Sequence, residues 1–134
     1  MFGALDISAS ALVAQRTRLE VVAANLANQF SLTDAKGNYA PYRRRTVTLA
    51  AGDPATGKPQ GVHVQQILLD QAPFRKVLEP GSPFADPDGY VMYPNVDPAN
   101  EWVNALEASR AYEANITAAE ATKAMIQASL KLLA

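Results

Sequence analysis

Residues 95–133, NVDPANEWVNALEASRAYEANITAAEATKAMIQASLKLL, decide the fold. From Pro98 they read as one helix. Positions at alternating three and four spacing run Trp102, Ala105, Ser109, Tyr112, Ile116, Ala119, Lys123, Ile126, Leu130 and Leu133, and only Lys123 breaks this heptad-like stripe. Asn95 and Asp97 are available as caps, Pro98 suits a first helical turn, and Glu101 complements the positive helix end. At 1.5 Å per residue the helix is about 50 Å long, whereas a compact globule of this chain length is about 35 Å across. A helix of that length outruns its own domain, and another chain is the simplest cover for the remainder.

The other end of the chain carries a matching stripe. Leucine recurs every seven residues at Leu5, Leu12, Leu19 and Leu26, with Ala9, Val22 and Ala23 beside it and Arg16 interrupting. The helix is expected to start between Gly3 and Ser8, with Asp6 or Ser8 as N-cap, and to run to about Asn28. Both helices are alanine-rich, with seven alanines in residues 4–28 and eleven in residues 99–134. Alanine favours helix and lets axes approach closely, but it buries little area. Such slender helices gain most of their order inside a multi-helix assembly.

Between the helices the composition changes sharply. All nine prolines lie between Pro41 and Pro98, and six of the seven glycines between Gly37 and Gly89, so a non-helical insert separates two helical ends. Residues 42–49, 62–69 and 89–93 read as short strands rich in Val, Ile, Thr and Tyr, and residues 74–78 as a fourth. Residues 52–61 read as the loop joining the first pair, residues 29–40 as an exposed loop, and residues 80–83 and 86–89 as turns. The fold class is therefore α+β, mainly α: long terminal helices packed as a coiled-coil-like pair around a small β-rich insert. The expected domains are 1–28 with 97–134 as an inner helical unit, and 29–96 as an outer insert.

Composition narrows function by exclusion. Twelve basic against thirteen acidic residues give a net charge of −1, which provides no general attraction to nucleic acid or to an anionic membrane. The chain has no cysteine, which removes disulfides, thiolate metal sites and thiol nucleophiles together. The start, Met1-Phe2-Gly3-Ala4-Leu5, is cut short by Asp6 and lacks a basic flank, so it does not read as a cleaved secretory signal. No uncharged apolar run approaches the roughly 18 residues that span a bilayer. These features alone suggest a cytoplasmic protein, although export routes that read an uncleaved N-terminus leave no such mark.

Candidate chemistry is sparse. His63 has no second His or any Cys to build a metal or catalytic site with. Asp86-Pro87-Asp88-Gly89 lacks the third acidic position and the closing Glu of a calcium loop and reads as a turn. No spacing sets Asp86, Asp88 and Asp97 in a cleft, and no Gly-rich phosphate loop or G-x-S-x-G elbow occurs. Tyr42 followed by Arg43, Arg44 and Arg45 is the strongest charge cluster. A strand alternates these arginines onto opposite faces, so ion pairs to a neighbouring subunit, or to Asp and Glu of the same chain, are expected before nucleic-acid binding. Asn25 and Asn28, with Asn104, Ser109, Arg110 and Asn115, either face solvent or set register within a bundle.

Several of these segments together resemble a known family. Asn25-Leu26-Ala27-Asn28, after an Ala- and Leu-rich helix containing Gln15 and Arg16, is similar to the N-terminal signature of the axial proteins of the bacterial flagellum. Pro41-Tyr42-Arg43-Arg44-Arg45 with Val47, then Gly89-Tyr90-Val91 leading to Pro94-Asn95-Val96, resemble the proximal rod family among them, as does residues 108–115, Ala-Ser-Arg-Ala-Tyr-Glu-Ala-Asn. The resemblance covers nearly the whole chain in the right order.

It implies a structural, non-enzymatic subunit of the rod, the hollow drive shaft that serves motility and passes through the periplasm. It also implies export through the flagellar type III secretion apparatus without a cleaved signal peptide, and helical assembly with copies of itself and other rod proteins. The residues expected to carry assembly are Leu5, Leu12, Leu19, Asn25, Leu26 and Asn28 in the first helix, with Trp102, Ser109, Arg110, Tyr112, Asn115, Ile116, Ile126 and Leu130 in the last. Arg43, Arg44 and Arg45 are candidates for ion pairs between subunits. No catalytic residue, metal, cofactor, nucleic acid or direct membrane span is expected. The competing expectation is a soluble ligand-binding or enzymatic β-domain that dimerises through its helices, which would need a polar cluster converging on a pocket.

Overall fold

Confinement of Pro and Gly to the centre leaves the two ends free to form uninterrupted helices, and a computed structural model of the chain describes residues 2–134, Phe2 by its backbone alone. Helix α1 spans Phe2–Ala27 and helix α2 spans Pro98–Leu133. Between them lie β1 (Arg45–Asp53), β2 (Lys58–Leu69), β3 (Arg75–Leu78) and β4 (Tyr90–Tyr93). The strands form two separate antiparallel ribbons, β1 with β2 and β3 with β4. The α+β architecture expected from the sequence is the one observed.

Helix α2 starts where its sequence signals place it. Asp97 is the N-cap, its carboxylate accepting the Ala99 N–H at 3.0 Å, with Pro98 in the first turn; such a cap contributes about 1 kcal/mol. Helix α1 starts earlier than expected. It is already helical at Phe2, so Asp6 and Ser8 lie inside the helix and do not cap it, and Met1 lies outside the described residues.

The helices pack antiparallel. Asn25 meets Glu101 at 3.2 Å and Arg18 meets Glu107 at 3.5 Å. The packed faces are not the large apolar stripes but the strips beside them. On α1 the buried residues are Ser8, Ala14, Val21, Val22 and Asn25; on α2 they are Glu101, Ala108 and Thr122. Small residues let the axes come close, and a close seam has no room for Trp102 or Leu106, which point away. The heptad leucines Leu5, Leu12, Leu19 and Leu26 lie on the flank of the contact, half-buried.

At 1.5 Å per residue α2 is about 54 Å long and α1 about 39 Å, so α1 cannot cover all of α2. The observed pairing sets Leu5 roughly level with residue 121, and among the described residues no helix lies beside the last turns of α2.

The β1–β2 ribbon is longer than the sequence suggested at its turn. Residues 52–61 were expected as a loop, but the strands continue to Asp53 and from Lys58, leaving four residues at the tip. Gly52 and Gly61, the apparent loop markers, are ribbon residues at positive φ (88° and 89°) where the register shifts between Ala51 and Asp53. A Cβ at Gly52 would sit 2.9 Å from the Lys58 carbonyl, and one at Gly61 2.9 Å from Ser10 Oγ. That close approach docks the ribbon on α1, where Ser10 Oγ accepts the Val62 N–H at 3.1 Å.

At its other end β1 starts at Arg45 rather than at Tyr42. The preceding segment is occupied elsewhere: Ala40 and Tyr42 donate their N–H groups to Leu32 and Ser31. The 29–40 segment is largely exposed, as expected, but it is pinned by a Thr33–Tyr39 bridge and by Tyr39 stacking on Phe84 at 5.1 Å.

Candidate functional site

Two features of this arrangement bear on function. The first is a buried polar joint where α1, α2 and the β1–β2 ribbon meet. Glu101, in the first turn of α2, is 0% exposed, and Asn25, near the end of α1, is 1% exposed. One oxygen of Glu101 accepts the Arg44 Nε–H and the other accepts from Asn25 Nδ2 at 3.2 Å. Arg44 also reaches Asp70 Oδ2 at 3.3 Å. Burial works against the Arg44 charge, but the bonds to Glu101 and Asp70 prevail and raise its pKa.

Asn25 uses both halves of its carboxamide. Its Oδ1 accepts the Arg45 N–H and the Tyr42 hydroxyl, each at 2.9 Å, while its Nδ2 also donates to the Arg45 carbonyl at 2.9 Å. It therefore pairs with Arg45 much as a neighbouring strand would. Burial pushes the Tyr42 hydroxyl pKa up, reinforced by Glu101 and opposed by Arg45. Among the described residues no buried side-chain N or O atom lacks a partner. A fully satisfied buried network of this kind fixes how three elements meet. It holds shape, and nothing in it is poised to react.

The second feature is apolar surface left uncovered. Trp102 (61% exposed), Val103 and Leu106 form one patch on α2, since positions three and four apart are neighbours on a helix. Met125, Leu130 (60% exposed), Leu132 and Leu133 are exposed on its final turns, as are Ile7 and Val13 on α1.

The sequence candidates fall into groups on this frame. Asn25 lies in the joint. Asn28 donates to the Ala24 carbonyl at 2.8 Å and accepts from Ser31 at 3.0 Å, closing the end of α1. Trp102, Arg110, Ile116 and Leu130 are exposed. Ser109, Tyr112, Asn115 and Ile126 are half-buried, and Asn115 Nδ2 donates to the Ala111 carbonyl at 2.7 Å.

The three arginines part company. Arg44 is committed to Glu101 and Asp70. Arg43 donates to the Asp70 and Ala72 carbonyls at 3.3 and 2.9 Å and lies 4.0 Å over the Phe74 ring. Arg45 is exposed, 5.9 Å from the Tyr42 ring centroid. Of the two partners considered for the cluster, same-chain acids and neighbouring subunits, Arg44 takes the former. Sequence reasoning missed Asp70 altogether and read Glu101 only as a helix-end charge. The available signal was that Glu101, Ala108, Asn115, Thr122 and Ser129 recur every seven residues as a small-and-polar strip.

A groove of about 630 Å³ lies between the start of α1 and the ribbon tip, lined by Asp6, Ile7, Ser10, Lys58, Gln60 and His63 among others. Two of its polar side chains are engaged locally: Ser10 with Val62, and His63 Nδ1 with the Gly52 carbonyl at 2.7 Å. Among the described residues no cluster of His, Asp or Glu could hold a metal ion, and no helix is long and apolar enough to cross a membrane.

Comparison with known proteins covers both ends of the chain and then its whole length. The family described as "Flagella basal body rod protein" matches residues 5–31, α1 and the turn after it. That described as "Flagellar basal body rod FlgEFG protein C-terminal" matches residues 88–132, β4 and α2. Over 130 residues the chain is 47% identical to the flagellar basal-body rod protein FlgC of Salmonella typhimurium, covering 95% of this chain and 93% of that one. Identity is 46% with FlgC of Escherichia coli over the same shares. With FlgC of Bacillus subtilis it is 41%, covering 98% and 97%. The chain belongs to the FlgC family of flagellar basal-body rod proteins.

Proposed function

We propose that the chain is a structural, non-catalytic subunit of the flagellar basal-body rod, built into a hollow helical shaft through its terminal helices. Residues 1–28 and 97–134 form the inner wall in this reading, and 29–96 the outer insert. The observation that carries it is area. The chain exposes 8904 Å², whereas a compact monomer of 14.3 kDa exposes about 6,800 Å². The excess is roughly 2,100 Å², equal to one side of two or three standard protein interfaces at about 800 Å² each. Copies of itself and other rod proteins supply the cover, through head-to-tail contacts that do not close into a ring.

The expected assembly residues fit this role unequally. Trp102, Ile116 and Leu130 face neighbours directly, the heptad leucines flank them, and Asn25 acts indirectly by fixing the angle at which the helices are presented. The ligand-binding or enzymatic alternative is not favoured, because relatives matching more than nine-tenths of both chains are rod proteins.

Delivery to the periplasmic rod is by the flagellar type III export apparatus, without a cleaved signal. Export and assembly are tested in a strain lacking its own copy of this chain. The intact chain restores swimming, and a version without residues 2–27 stays in the cytoplasm. Swimming by the strain without the chain overturns the rod assignment, and secretion of the truncated chain overturns the export role of α1.

A further inference from the structure

Each two-stranded ribbon has two outer edges, along which alternate residues point their backbone N–H and C=O groups outward. Natural sheets rarely leave such edges open, and two of the four here are capped, β1 at Arg45 and β4 at Tyr90 and Met92. On β1, Asn25 takes both outward groups of Arg45. On β4, the Tyr39 hydroxyl accepts the Met92 N–H at 3.0 Å and donates to the Met92 carbonyl at 2.9 Å. Asp86 accepts the Tyr90 N–H through Oδ1 at 2.8 Å and donates its own N–H to the Tyr90 carbonyl at 2.9 Å.

The far half of β2, Gln65–Leu69, is left open. All five residues are exposed, and none is charged or proline. The Asp70 N–H donates to the Arg44 carbonyl at 2.8 Å, which sets the phase of the ladder and turns Ile67 and Leu69 outward. Their one partner among the described residues is the Gln71 side-chain amide, 3.3 Å from the Leu69 carbonyl. Among the described residues no helix or strand other than β1 and α1 lies against β2. The fourth edge, β3, is open too: the Glu79 N–H donates to the Gly89 carbonyl, so Lys76 and Leu78 face outward.

We infer that the open edge of β2 pairs with the β3 edge of a second copy of this chain, joining two ribbons across the subunit boundary. The inference rests on the rod reading. Pairing β2 with another β2 would be two-fold symmetric and would close a dimer, whereas a shaft needs two different surfaces that meet repeatedly; β3 and the far half of β2 are the two edges whose outward residues are all exposed, Val47 and Leu49 on β1 being half-buried. Antiparallel alignment of the outward groups, Ile67 with Leu78 and Leu69 with Lys76, also sets Asp70 opposite Arg75 and Leu68 opposite Val77. Unlike charges and apolar side chains then face each other.

Because the chain has no cysteine, a variant carrying Ile67→Cys and Leu78→Cys reports the contact directly. Directly opposed residues of this kind have Cα atoms about 5.5 Å apart, within disulfide reach. Mild oxidation of cells with assembled rods is expected to give covalent multiples of this chain, requiring both cysteines. Monomer alone, or an adduct to a different protein, overturns the inference.

Ile67→Pro decides the matter if the cysteine variant fails to assemble. It removes only an outward N–H and spares the pairing with β1. Swimming is expected to be lost while the thermal unfolding of the free chain is unchanged. A chain that is needed for swimming but swims normally as Ile67→Pro sinks the edge contact and leaves the rod reading intact.

Discussion

Glu101→Ala is expected to lower the stability of the free chain by about 3–5 kcal/mol, the usual cost of leaving one partner of a buried ion pair alone. Glu101 is wholly buried. Its loss strips Arg44 of its closest acceptor and leaves Asn25 Nδ2 with the Arg45 carbonyl only. Because the pair joins α1, α2 and β1, the damage extends beyond one contact to the angle between helix pair and ribbon. The double replacement Glu101→Leu with Arg44→Met is expected to cost less than Glu101→Ala alone, since an apolar pair of similar volume avoids the uncompensated charge. Chemical denaturation of the three proteins measures this. A single-variant loss below about 1 kcal/mol would show that the joint contributes little.

Leu130→Asp is expected to do the reverse, leaving the free chain's stability within about 0.5 kcal/mol of the parent, as for a surface substitution, while abolishing rods and swimming. Leu130 is 60% exposed and beyond the reach of α1, so the free chain loses almost nothing. In the proposed shaft the same side chain is covered. Burying a leucine contributes about 1.5–3 kcal/mol, and an aspartate buried there without a partner reverses the sign of the contact. Repetition along the polymer multiplies the effect. Trp102→Asp is expected to behave alike. Unfolding curves of the soluble variants, with electron micrographs of basal bodies, separate folding from assembly. Normal rods in both variants would remove the uncovered α2 face from the account.

The helices, their order and the existence of four strands were legible in the sequence because Pro and Gly are segregated and the strand segments are rich in β-formers. The start of α2 was legible to the residue, through Asp97 and Pro98. What the sequence hid has physical causes. Leucines and aromatics read as interior, but here Ala14, Ala108 and Thr122 lie in the close seam, the heptad leucines are only half-buried, and Trp102, Leu106 and Leu130 are turned outward. Gly52 and Gly61 read as loop markers because positive φ serves turns and bulges alike. The joint was hidden because Arg44 and Glu101 are 57 residues apart: the seven-residue strip that contains Glu101 marks its face of the helix but not its partner. Asn25 stood out as a polar residue within a helix and through the family resemblance, but its pairing with the edge of β1 needed coordinates to be seen.

The central claim is that the apolar face presented by the helix pair, uncovered in the single chain, is interior to the shaft. A density map of the assembled rod at side-chain resolution tests it most directly. The account predicts Trp102, Leu106 and Leu130 packed against side chains of neighbouring subunits. It is contradicted if those three residues line the channel or face the outer solvent.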